Sequence, residues 1–245
     1  MDKQFKKYKT SKVKSYFLVF LYFFLVFLPL LAPVFYPSEA HEFFSKMGKA
    51  FSMMAIMILS LQFVIAGRFQ CITAPYGHDA VMRFHRLMGI FAFVLLLLHP
   101  LLLSLDSIEL LTKIQQPWFI QAGRIALLVI VILVMSTLFR KKLKISYERW
   151  RRLHDFLALS LLVLAYVHSG YAGSSFEDTA SRAVWFTFPV VIFLIFIYYR
   201  VIRSNFTNKN LFTVKSVKDV TKDVIALSLA RKDGHDIHDY LPGQF

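Results

Sequence analysis

The chain of 245 residues carries a formal charge of +14, and 57% of its residues are hydrophobic, including 26 Phe. Its mean hydropathy of +0.54 excludes an ordinary soluble domain of this length. In a soluble protein such a basic excess would suggest nucleic acid, but here the basic residues gather at the ends of apolar segments, so no nucleic-acid partner is expected.

Six apolar segments are long enough to cross a bilayer. They cover residues 15–35, 48–67, 82–105, 119–139, 152–170 and 183–202. The first precedes Ser38-Glu39-Ala40, which looks like a signal-peptide cleavage site, but about twenty apolar residues are too many for a signal peptide. The fold class predicted is therefore an all-α membrane protein in contact with lipid, with a six-helix transmembrane domain over 15–203.

The basic residues alternate between connections and so predict the topology. Lysines crowd residues 1–14, and Lys and Arg crowd 140–152 and follow the sixth span at Arg200 and Arg203. The intervening connections carry mostly acidic residues. By the positive-inside rule both termini are cytoplasmic, with 1–14 a basic cytoplasmic segment, and the third and fifth spans run from inside to outside. The basic runs are then topology signals and lipid headgroup contacts.

The third and fifth spans carry two histidines each with the same spacing: His85 and His99, then His154 and His168. Fourteen residues of α-helix turn through about 1400° and rise about 21 Å, so each pair looks out from nearly one face at two depths. A single membrane histidine is usually a buried polar group satisfied by a neighbour. Four in one register, each costly in lipid, indicate a functional set.

Because both spans run the same way, His85 should face His154 near the cytoplasmic side and His99 should face His168 near the outer side. A pair of facing imidazoles is an axial ligand set for haem iron, so the sequence predicts two stacked haems. With Cys71 the only cysteine and no Cys-x-x-Cys-His, the haems should be b-type. Both axial positions would be filled, so transfer to an acceptor would be outer-sphere and no catalytic residue is expected.

Further residues are expected to support the haems. Gly89, one turn after His85, leaves room for a flat macrocycle, and each ligand should be held by the carbonyl one turn earlier, those of Val81, Leu95, Trp150 and Leu164. Propionate partners at the inner side are Arg83, Arg86, Arg151 and Arg152, and at the outer side Arg124, Lys49 and Arg182. Apolar side chains between the layers, including Phe91, Phe93, Leu161 and Leu162, should pack and exclude water.

The segment RFHRLMGIFAFVLLLLHP and the later YERWRRLHDFLALSLLVLAYVHSG resemble the paired histidine helices of the ferric reductase and NADPH oxidase superfamily. The approach Tyr147, Trp150, His154 resembles bacterial members. The resemblance implies an oxidoreductase in which electrons pass from cytoplasmic NAD(P)H through FAD and two haem b groups to an outer acceptor. Oxygen and ferric iron both fit as that acceptor.

The tail supports the same resemblance. Residues 211–218 and 222–230 read as strands, the charged RKDGHD as a turn, and the closing YLPGQF resembles the start of a ferredoxin-reductase-type FAD barrel. Residues 204–245 are thus interpreted as the incomplete opening of an antiparallel β-barrel, in a fragment of a longer protein whose FAD and NAD(P)H sites lie further on. His235 and His238 could bind a metal, but an exposed hairpin is the simpler reading.

Two other classes of function stay open on the sequence. One is a quinol-fed haem subunit that delivers electrons to a separate periplasmic reductase; the PGQF tail argues against it. The other is a six-helix proton channel without haem, in which the histidines titrate as relays.

Overall fold

The computed structural model describes residues 12–31, 43–67, 69–106, 108, 112–172, 179–198, 212–221 and 224–231. In chain order these ranges form α1 (Lys12–Phe27) with a 3-10 turn (Leu28–Leu31), α2 (Phe43–Ala66), α3 (Gln70–Tyr76), α4 (His78–Asp106), α5 (Trp118–Leu138), α6 (Tyr147–Ala172), α7 (Thr179–Ile197), β1 (Phe212–Thr221) and β2 (Val224–Arg231).

Six of these helices are long and apolar enough to span a membrane, as the sequence predicts: α1, α2, α4, α5, α6 and α7. The predicted starts of four spans lie four or five residues after the helices begin: α2 begins at Phe43, α4 at His78, α6 at Tyr147 and α7 at Thr179. Hydropathy locates the apolar part of a helix, whereas the first turns of α4 and α6 are charged and still helical. The short helix α3 was not predicted, and Gly77, with φ of 79°, separates it from α4.

The bundle is built from two closely packed antiparallel pairs of helices. α2 lies along α4, and α5 lies along α6. Ser45 at the start of α2 donates its backbone N–H to Oδ2 of Asp106 at the end of α4, at 2.6 Å. Within the described residues, α4 and α6, which carry the histidines, do not pack closely on each other.

The core between the two histidine layers is apolar. Phe93 and Leu161 pack in one cluster, and Leu162 is buried in a second cluster with Tyr166 and Trp185. Phe91, expected among these residues, is instead 43% exposed. The prediction for Phe91 was wrong because its neighbours Ala92 and Phe93 occupy the inward face of α4 and turn Phe91 outward.

The second compact unit, residues 197–245, contains an antiparallel pair of strands. β1 pairs with β2 from Phe212 opposite Arg231 to Thr221 opposite Val224, with two irregularities in register. Nearly all of its side chains are exposed, and two strands alone cannot bury a core. The two predicted strands are therefore present, while the predicted turn RKDGHD, the YLPGQF stretch and His235 and His238 lie outside the described residues.

Candidate haem-binding site

The four histidines meet in two facing pairs between α4 and α6. The ring centroids of His85 and His154 lie 6.4 Å apart, with an interplanar angle of 57°. Those of His99 and His168 lie 6.3 Å apart at 70°. The first histidine of α4 faces the first histidine of α6, and the second faces the second, as helices that run in the same direction require. The pairs are called inner and outer after the predicted topology.

This spacing fits one iron atom between each pair. An imidazole nitrogen binds a metal at about 2.0–2.1 Å, so two rings of radius about 1.2 Å on opposite sides of one iron have centroids about 6.4 Å apart. Both observed separations match that value. Among the described residues no group of three or more His, Cys, Asp and Glu could hold a metal ion, so each pair offers two protein ligands only.

The outer histidines are held by backbone carbonyls of neighbouring helices. Nδ1 of His99 lies 2.9 Å from the carbonyl oxygen of Gly48 in α2, and Nδ1 of His168 lies 2.8 Å from that of Phe119 in α5. Because a carbonyl only accepts, each Nδ1 carries the proton and each Nε2 keeps its lone pair. That tautomer is the one an axial ligand needs.

The expectation that the carbonyls of Leu95 and Leu164 hold these rings was wrong. A carbonyl one turn earlier points along its own helix axis into the helical hydrogen-bond ladder, whereas the imidazole projects sideways. The neighbouring helix then supplies the acceptor wherever its backbone comes close enough. The sequence shows which residues lie on one helix face but not which foreign carbonyl approaches it.

Two glycines that the sequence reasoning missed allow this close approach. A Cβ added to Gly123 of α5 would lie 2.6 Å from Nδ1 and 2.7 Å from Cε1 of His168. A Cβ added to Gly48 of α2 would lie 3.0 Å from the backbone oxygen of His99. Small residues in membrane helices commonly mark such close contacts, which is the signal that could have found them.

The inner histidines are held differently. Nδ1 of His85 and Nδ1 of His154 are buried and have no hydrogen-bond partner among the described residues, so the expected carbonyls of Val81 and Trp150 do not accept them. The indole of Trp150 packs against the His154 ring with centroids 5.2 Å apart.

The position of Trp150 is itself fixed by α5. Its Nε1 donates to Oγ1 of Thr137 at 3.3 Å. The Arg140 guanidinium lies 5.8 Å from the centroid of the Trp150 ring. The rings of Tyr147, Trp150 and His154 therefore pack in a row, and the Tyr147 and Trp150 centroids lie 5.8 Å apart.

Open space lies beside Gly89, one turn from His85. A Cβ added there would meet nothing within 4 Å. The observation fits the predicted room for a macrocycle at the inner layer, since a flat ligand beside His85 would extend across this face of α4.

The cationic residues proposed for the propionates divide by side. The inner four are exposed at the ends of α4 and α6: Arg83, Arg86, Arg151 and Arg152. At the outer side Lys49 directly follows Gly48, whose carbonyl oxygen lies 2.9 Å from Nδ1 of His99. The Arg124 guanidinium donates to the carbonyl of Lys113 at 2.7 Å.

Arg182 likewise has a protein partner at the outer side. Its Nε donates to the carbonyl of Gly170 at 3.1 Å, and its guanidinium lies 5.0 Å from the Tyr171 ring centroid. Arg124 and Arg182 therefore hold loop and helix ends together, and a propionate role for either stays a prediction.

Residues 51–165 match the family model described as ferric reductase like transmembrane component. The match includes His85, His99 and His154 and ends three residues before His168. This segment is therefore similar to that transmembrane component. The search of curated proteins gave no match.

Proposed function

We propose that this chain carries electrons across the membrane through two haem b groups, one held by His85 and His154 and one by His99 and His168. The carrying observation is the pair of centroid separations, 6.4 and 6.3 Å, each suited to one iron atom. The match to the ferric reductase like transmembrane component supports the same kind of chemistry.

The residues of the chain define how such a site works. Bound haem supplies a centre that takes up and releases one electron. One histidine from each helix would hold each haem iron, so an acceptor would not bind the iron itself and would take its electron at an exposed haem edge. Phe93 and Leu161 pack between the two layers and keep water out.

The direction of flow that we propose runs from the cytoplasm outward. The basic ends of the helices, including Arg140 to Lys144 between α5 and α6, favour cytoplasmic placement of the termini and of the inner pair. The tail from residue 204 resembles the opening of a FAD-binding domain, so NAD(P)H and FAD are the proposed donors. Oxygen, giving superoxide, and ferric iron are the proposed acceptors.

The haem content of the purified protein tests this proposal. A reduced-minus-oxidised spectrum should show low-spin b-type bands, and a pyridine haemochromogen assay should give about two haems per chain. A protein without haem would rule out the proposal and favour the proton channel.

Reconstituted vesicles test the transfer itself. With ferricyanide trapped inside, reduced flavin added outside should bleach it only in vesicles that contain the protein. Bleaching by a reduced quinol analogue but not by flavin would instead favour the quinol-fed subunit.

A further inference from the structure

Gln62 of α2 is a buried polar side chain. It is 8% exposed, and neither its Oε1 nor its Nε2 has a hydrogen-bond partner among the described residues. Burying an amide without a hydrogen-bond partner is unfavourable, and more so within a membrane where no water can replace the partner. Such a group calls for a partner.

The register between α2 and α4 brings Gln62 to the level of His85. In this antiparallel pair Gly48 lies against His99, and the carbonyl oxygen of Gly48 accepts the Nδ1–H of His99. Gln62 follows Gly48 by fourteen residues, and His85 precedes His99 by fourteen. Equal steps along two antiparallel helices keep residues at the same level, because both helices rise by about 1.5 Å per residue.

The packing between these two levels is continuous. Ala55, Ile58 and Leu61 of α2 share one buried cluster with Met88 and Ala92 of α4. The two helices therefore stay in contact from the outer layer to the inner one, and the register persists.

We propose that Gln62 is the positioning residue of the inner pair: its amide oxygen accepts the Nδ1–H of His85. The Gln62 amide oxygen would thus hold His85 as the Gly48 carbonyl oxygen holds His99. Nδ1 of His85 is a buried donor without a partner among the described residues, and the Gln62 amide is a buried acceptor in the same condition. The two groups do not hydrogen bond in this structure, so the proposed bond requires a different rotamer of the Gln62 side chain.

The consequence of this bond, which rests on the proposed function, concerns the iron. Holding Nδ1–H fixes the tautomer with Nε2 free and makes the imidazole a more basic ligand. A more basic ligand stabilises ferric over ferrous iron and lowers the reduction potential of that haem. Removing the acceptor should raise the potential of the inner haem alone.

The test compares Gln62→Met, which keeps the length and loses the acceptor, with Gln62→Glu, which keeps an acceptor. Gln62→Met should shift the reduced-to-oxidised ratio of the inner haem about tenfold toward reduced at fixed ambient potential, or about 59 mV for one electron. Gln62→Glu should leave that potential at or below the wild-type value. The g-values of the inner ferric haem in electron paramagnetic resonance should change in Gln62→Met, with those of the outer haem unchanged.

The matched control is Ser60→Ala, which removes another buried polar group of α2. Ser60 is fully buried, and its hydroxyl forms a hydrogen bond with the hydroxyl of Tyr166 at 3.0 Å. It should alter neither haem. Comparison with His99→Ala, which retains only the inner haem, identifies which potential belongs to which layer.

The outcomes separate the two proposals. A wild-type protein that binds no haem overturns the proposed function. A wild-type protein with two haems whose potentials and g-values are unchanged in Gln62→Met overturns only the role of Gln62. Loss of both haems in Gln62→Met, with both retained in Ser60→Ala, would show that Gln62 is needed for the fold as a whole. That result would also overturn its proposed role at His85.

Discussion

Gly123 of α5 forms a seat for the imidazole of His168: a methyl group at this position would lie 2.6 Å from Nδ1. Gly123→Ala should therefore push the ring out of line and lower outer haem content at least tenfold, as loss of a supporting contact commonly does. The inner haem is the internal control, since the three atoms nearest to a Cβ added at Gly123 all belong to His168. Equal loss of both haems in a haem titration would contradict the prediction.

An alanine at Gly89, one turn from His85, should have the opposite effect on protein stability. Gly89→Ala meets no atom within 4 Å and should favour the helix by about 1 kcal/mol. If the macrocycle of the inner haem lies on this face, the added methyl group should lower inner haem content although the protein is no less stable. Thermal unfolding and haem content measured on one sample check both parts. Unchanged haem content would show that the open space is not part of the site.

Single histidine variants test the pairing. His85→Ala or His154→Ala should remove the inner haem, and His99→Ala or His168→Ala the outer one, because the rings face each other in those pairs. Redox titration of each variant should show one remaining component, and the two members of a pair should leave the same one. If His85→Ala and His168→Ala removed the same haem, the pairing would be wrong.

The sequence predicted the four histidines of the site better than the groups that hydrogen bond to them. Spacing alone placed His85, His99, His154 and His168 on two faces, because helix geometry is nearly constant. The carbonyls of Gly48 and Phe119 could not be predicted, since which backbone approaches which ring depends on how α2 meets α4 and α5 meets α6.

Exposure was equally hard to read where apolar residues are continuous. Phe91 and Phe93 look alike in the sequence, yet one faces outward and the other packs in the core. In a membrane helix both lipid and core are apolar, so hydrophobicity does not separate the two faces.

Labelling of Cys71 tests the proposed topology. It is the only cysteine of the chain, lies in α3 and is exposed. If the connection between α2 and α4 is cytoplasmic, an impermeant maleimide should label it in inverted membrane vesicles and not in intact cells. The control is Ile114→Cys in a Cys71→Ser background, because Ile114 precedes α5 and is 84% exposed. That variant should be labelled from the outside, and the reverse pattern would invert the topology.

Removal of the residues after Arg203 tests the division between electron transfer and electron entry. All four histidines lie upstream, in α4 and α6, and the hairpin belongs to a separate compact unit. A chain ending at Arg203 should therefore keep about two haems that dithionite reduces fully. The protein that retains the residues after Arg203, supplied with FAD and NAD(P)H on the proposed cytoplasmic side, should reduce an impermeant acceptor on the opposite side, and the truncation should abolish this flux. If the truncated protein still oxidised NAD(P)H at the full rate, electrons would enter within the six helices, and the interpretation of residues 204–245 as the start of a flavin domain would be wrong.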